Sequence, residues 1–125
     1  MDKEKLDRLY EKYMPEEKLL IARSARKTIR YIEKNTENFP NKYKVLRDRI
    51  IGCCYDILKH IYRANIFQDI NEKKEIIVEI QLLNFYLEEA VRKDILTNKK
   101  LISYTNHLLE INKMVRSWFK YEKSK

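Results

Sequence analysis

An all-α fold, four helices packed up-down-up-down, is what this chain predicts, and three observations carry the prediction. Its 125 residues include one Gly and two Pro, far fewer turn-formers than the hairpins of a sheet protein would need. Charged residues make up 37% of the chain, and apolar residues recur among them at intervals of three and four, the helical period. Four such stretches are separated by connections of roughly 4–8 residues, short enough to force neighbouring helices to run antiparallel. The length suits one domain with a real core. Residues 1–15 read as a short N-terminal extension, 16–121 as the bundle and 122–125 as a basic tail.

Residues 2–13 form a short charged helix with Leu6, Tyr10 and Tyr13 on one side, and Pro15 suits the first turn of the next helix. The first main helix runs from about Glu16 to Asn35 and stops before Pro40, since a residue preceding proline is pushed out of the α region. Asn38-Phe39-Pro40-Asn41 is the connection. The second helix spans about Lys44 to Ile66, with Leu46, Ile50, Cys53 or Cys54, Ile57, Ile61 and Ala64 on its buried seam. Gly52 in its middle lowers helix propensity by about 1 kcal/mol relative to Ala, so a neighbouring helix is expected to approach closely there.

The third helix, about Asn71 to Val91, has its seam at Ile76, Ile80, Leu83, Leu87 and Ala90. It also carries Ile77, Val78, Leu82, Phe85 and Tyr86, more apolar surface than one bundle covers. Ile77, Leu82, Phe85 and Tyr86 are therefore assigned to an interface between identical subunits. The fourth helix follows Thr97, a suitable N-cap, and continues to about Tyr121 with Leu101, Tyr104, Leu108, Ile111, Val115 and Trp118 at heptad spacing.

The charge is concentrated. Residues 18–49 hold ten Lys/Arg against three Asp/Glu, so this segment carries +7 of a chain total of +8. At about 100° per residue, Arg23, Arg26, Lys27, Arg30 and Lys34 fall in one stripe, opposite Ile21, Ala22, Ala25, Ile29 and Ile32. A helix face built only for solubility mixes its signs, whereas here Glu33 is the sole acid between Lys18 and Glu37. The stripe thus becomes a candidate surface for RNA or DNA, extended along the chain by Arg47 and Arg49. A second basic set, Lys113, Arg116, Lys120 and Lys123, recurs every three or four residues near the end of the fourth helix and into the tail, where cations also favour the helix dipole. Trp118, Phe119 and Tyr121 lie among these charges, but Trp118 falls on the heptad seam and reads as core.

Catalysis has little support. His60 and His107 lie on different helices with no partner in a metal-binding pattern, no pair of Glu-x-x-His motifs exists, and one Gly cannot build a phosphate loop. Glu79, Glu88, Glu89 and Glu110 are scattered and read as solvated or salt-bridged carboxylates. Cys53 and Cys54 are adjacent within a helix, which makes a disulfide between them geometrically implausible. They read as inert core thiols in a reducing cytoplasm. No apolar stretch reaches the ~18 residues of a membrane span, and the opening Met-Asp-Lys-Glu-Lys starts no signal peptide. The expectation is a cytoplasmic protein without cofactor, metal or membrane partner.

Asn38-Phe39-Pro40-Asn41, then Leu46-Arg47-Asp48-Arg49-Ile50 and Tyr55-Asp56-Ile57-Leu58, resemble the start of the accessory variability determinant family of diversity-generating retroelements. In that family a Phe-Pro or Leu-Pro turn leads into Leu-Gly-Asp-Arg-Ile and an aliphatic helix ending near an Ala, a place held here by Ala64-Asn65. Leu83 to Leu87, the Asp94-Ile95-Leu96 turn and Ile111 to Trp118 are similar to the family's last two helices. Arg47 stands where the family usually has Gly, and Arg116-Ser117 replaces a small pair before Trp118. The resemblance covers roughly residues 17–121. It implies a four-helix protomer assembled into a pentameric barrel, without catalysis, that binds the retroelement's reverse transcriptase and template RNA to support mutagenic copying. The bundle proteins of ribosomal RNA intervening sequences share this architecture and would make the chain an interaction scaffold with no retroelement role. Their usual Asn-Ile-Ala-Glu-Gly-like segment is missing here.

Overall fold

The structure, a computed structural model, describes residues 2–5, 8 and 19–123, with side chains of the last helix described as far as Phe119. Its four long helices are α1 (Leu20–Thr36), α2 (Lys44–Phe67), α3 (Ile70–Arg92) and α4 (Asn98–Lys123), and a 3-10 turn at Asn41–Tyr43 leads into α2. Each helix packs on its chain neighbours and α4 returns onto α1, closing a ring in which, among the described residues, the backbones of diagonal helices stay apart across one shared core. The side-chain pairings run in opposite directions along each pair. Cys53 and His60 of α2 face Glu79 and Glu72 of α3, and Tyr31 and Asn35 of α1 meet Ser103 and Lys100 of α4. The expected up-down-up-down bundle is what the helices build.

Local chemistry sets the helix ends. The Asp69 carboxylate accepts from the Asn71 amide at 2.9 Å, and the Thr97 hydroxyl accepts from the Lys100 amide at 3.1 Å, so each satisfies one of the unpaired donors at its helix start. Gln68 at φ 52° ends α2 in the left-handed region, and Asp94 at φ 59° turns the chain after α3. The α2–α3 connection is only Gln68-Asp69, shorter than expected, because one left-handed residue followed at once by a capping Asp reverses the chain without a longer loop. Among the terminal residues, Asp2 caps the Lys5 amide at 2.9 Å. The rest of the expected 2–13 helix, Pro15, and the start of the first main helix at Glu16 lie outside the described residues.

The core is formed by the predicted seams. Ile21, Ala22, Ala25, Ile29 and Ile32 of α1, Ile50, Ile57 and Ile61 of α2, Ile76, Leu83 and Leu87 of α3, and Tyr104, Leu108, Ile111 and Val115 of α4 are all buried. Leu46, Leu101 and Trp118 are half-buried and pack against this cluster. Cys53 and Cys54 are buried free thiols, and burial pushes both up to about 12. Among the described residues one charged side chain sits fully inside: Lys73 of α3, whose ammonium lies 4.3 Å from the centre of the Trp118 ring, a contact that offsets part of its desolvation.

Gly52 departs from expectation. It lies on the exposed face of α2, and a Cβ built there would meet nothing within 4 Å. Among the described residues no neighbouring helix approaches it, because the residues of α2 that meet α1 and α3 leave Gly52 pointing away from both. His60 has a partner that its own helix could not reveal. Its Nδ1 lies 2.6 Å from Glu72 of α3, and the same carboxylate takes Arg63 Nε at 2.9 Å, so Glu72 clasps the end of α2 to the start of α3.

Candidate nucleic-acid interface

The basic face of α1 exists because the opposite face is committed to the core. Arg23, Lys27, Arg30 and Lys34 are exposed and Arg26 is half-buried at the edge of the stripe. None of Arg23, Lys27, Arg30 and Lys34 forms an ion pair with a described residue. From Arg23 to Lys34 the rise of about 1.5 Å per residue spreads these cations over about 16 Å.

The two flanks of this face differ. Toward α2, Glu33 accepts a hydrogen bond from the Tyr55 hydroxyl at 2.8 Å, which also raises the Tyr55 phenol above its ordinary pKa. Arg47, half-buried, donates to the Glu37 carbonyl at 3.3 Å and lies 3.8 Å from Asp48, so its charge is spent within the protein. Toward α4 the flank is aromatic and cationic. The Tyr31 hydroxyl hydrogen-bonds with that of Ser103 at 3.1 Å, and its ring packs edge-on against Tyr104 at 5.1 Å and the exposed His107 at 5.4 Å. Lys100 crosses from α4, donating to Asn35 Oδ1 at 3.2 Å with its ammonium 5.5 Å from the centre of the Tyr31 ring.

The remaining sequence candidates are dispersed. Arg49 is exposed one turn before Cys53, on the α3 side of α2. Lys113 is exposed on α4, and Arg116 lines a cleft of about 230 Å³ between α3 and α4 together with Ile77, Asn84, Thr105 and Asn112. The Lys120 side chain lies outside the described residues. Arg116 therefore turns toward α3 rather than toward the α1 stripe.

Of the apolar residues assigned to a subunit interface, Leu82 is 38% and Phe85 52% exposed, whereas Ile77 and Tyr86 are half-buried against the core. Val78, Ile102 and Leu109 add exposed apolar surface on the outer sides of α3 and α4. Ile102 and Leu109 fall off the heptad seam, the one signal in the sequence that places them outside. Tyr31, Lys100 and His107 were not identified from the sequence as parts of the basic face, since they reach it only when α4 folds back on α1.

Among the described residues no three His, Cys, Asp or Glu side chains come together as a metal site, and no helix is long and apolar enough to cross a membrane. No curated protein matches the chain. A family model described as bAvd-like matches residues 19–122, nearly the whole described region and all four long helices but for the last residue of α4. The resemblance to the accessory variability determinants is borne out: the chain belongs to the bAvd-like family.

Proposed function

We propose that this protein is a non-enzymatic accessory factor of a diversity-generating retroelement, holding nucleic acid on the basic face of α1 while it assists a reverse transcriptase in mutagenic copying. The observation that supports the reading is the set of four exposed cations, Arg23, Lys27, Arg30 and Lys34, without ion-pair partners among the described residues, on a member of this family. Such cations meet phosphates, which supplies affinity without reading sequence. The exposed apolar residues Leu82 and Phe85 support a homo-oligomer, a pentamer on the family reading. Repeating the stripe on every subunit multiplies weak phosphate contacts through effective concentration.

Titrating binding to unrelated RNA and DNA sequences against salt tests this. The expected result is comparable affinity across sequences and a steep fall as salt rises. Light scattering alongside should give a mass near five subunits, and Leu82→Glu with Phe85→Glu should lower it. Salt-independent or absent binding, with a protein partner captured instead, would favour the scaffold reading.

A further inference from the structure

The α1–α4 groove, not the α1 stripe alone, is the track, and we infer that it takes an unpaired strand, phosphates on Lys27 and Lys34 and a base on the exposed ring of His107. The inference rests on the nucleic-acid reading and adds to it the strand class and the path. Three observations carry it.

The first is the asymmetry of the flanks. A polyanion lying over α1 must lean toward α2 or toward α4. On the α2 side it meets the Glu33 carboxylate held by Tyr55, and an Arg47 already bound to the Glu37 carbonyl and paired with Asp48. On the α4 side it meets Lys100 and His107. Glu110 is the one carboxylate on α4 between Asn98 and Phe119, exposed one turn beyond His107.

The second is helical phase. Lys27 and Lys34 stand at i−4 and i+3 of Tyr31, on the side of the stripe that turns toward α4. Cations and rings therefore alternate along one line, the pattern of a groove that tracks a backbone while stacking successive bases. The third is order. Tyr31 is fixed by its bond to Ser103 and by edge contacts on Tyr104 and His107, so the imidazole is oriented before any ligand arrives and loses little freedom when a base stacks on it. A duplex keeps its bases paired and stacked, and could use the cations only.

The test compares a short single-stranded RNA with the duplex of the same sequence, using the full chain and checking each variant for unchanged helix content and mass. The wild-type chain should prefer the single strand. His107→Ala should weaken single-strand binding about ten-fold, the loss of one stacked base, and leave duplex binding unchanged. His107→Phe should restore it, which a merely electrostatic role for the imidazole would not allow. Lys100→Glu should weaken both probes, and Lys74→Glu, exposed on α3, the helix diagonal to α1, neither. Wild-type binding that His107→Ala leaves unchanged, or reduces equally for both probes, would overturn the path while leaving the nucleic-acid reading intact. Failure of the wild-type chain to bind either probe would overturn both.

Discussion

Gly52→Ala should make this protein more stable. The residue sits inside the first half of α2 on an exposed face, its φ is not positive, and an added Cβ meets no atom of the described residues within 4 Å. The methyl group therefore neither clashes nor fills a hole, and what remains is the backbone. Glycine has more unfolded-state freedom to lose and leaves the helix backbone more open to water. The gain is about 1 kcal/mol, which for a domain of this size raises the melting temperature by about 4 °C. Urea unfolding followed by circular dichroism, at equal protein concentration for both chains because an oligomer's stability depends on it, is the assay. The midpoint should rise with the slope unchanged. A lower midpoint would mean that something occupies the space beside Gly52, a second subunit above all, and the placement of that face in solvent would be wrong.

Cys53 and Cys54, with thiols pushed up to about 12, should label slowly. At pH 8 such a thiol is ionised far less than an ordinary one, so labelling as fast in native buffer as in denaturant would refute the α2 register. The Glu72 clasp should give stability a pH dependence of known sign. Arg63, then His60, hold the Glu72 carboxyl below its usual value of 4.5, so its contribution is present above that value and lost as pH falls through the lowered one. Glu72→Gln should be less stable than the wild type at neutral pH, and the two should converge in acid; a gap that persists there would point to packing instead. Ile61→Ala, at a fully buried position in α2, should cost about 2–5 kcal/mol in the same unfolding assay; a loss under 1 kcal/mol would mean that Ile61 is not in the core.

The helix seams were legible because burial repeats with the helical period, and one wrong phase would have put Ile29 or Leu83 in water. Thr97 was legible as a cap because a short hydroxyl before a periodic stretch has few other uses. Gly52 misled because an unfavourable residue inside a helix invites a packing reason, and here packing supplies none. What stayed hidden depends on which helices become neighbours. Glu72 lies twelve residues from His60 and Lys100 sixty-five from Asn35, and no periodicity within one helix announces a partner on another. Lys73 reads as one more surface lysine until Trp118 arrives from α4. The same reason hid the aromatic flank of the basic face: Tyr31 and His107 belong to separate stretches and become a groove only through the closing of the ring.

Reversing Arg23, Lys27 and Arg30 to Glu is the most direct test of the claim that α1 carries the polyanion contact. These side chains are exposed opposite the buried face, so helix content and assembly mass should stay as they are. Binding to RNA and DNA at 0.15 M salt should fall by at least about ten-fold, and the slope of log affinity against log salt should flatten by about one unit for each phosphate no longer neutralised. The same reversal at Lys113 and Arg116, where cations near a helix C-terminus also favour the dipole, should have the smaller effect. Unchanged affinity and an unchanged salt slope in the α1 variant would contradict the account and leave that helix face merely solvated.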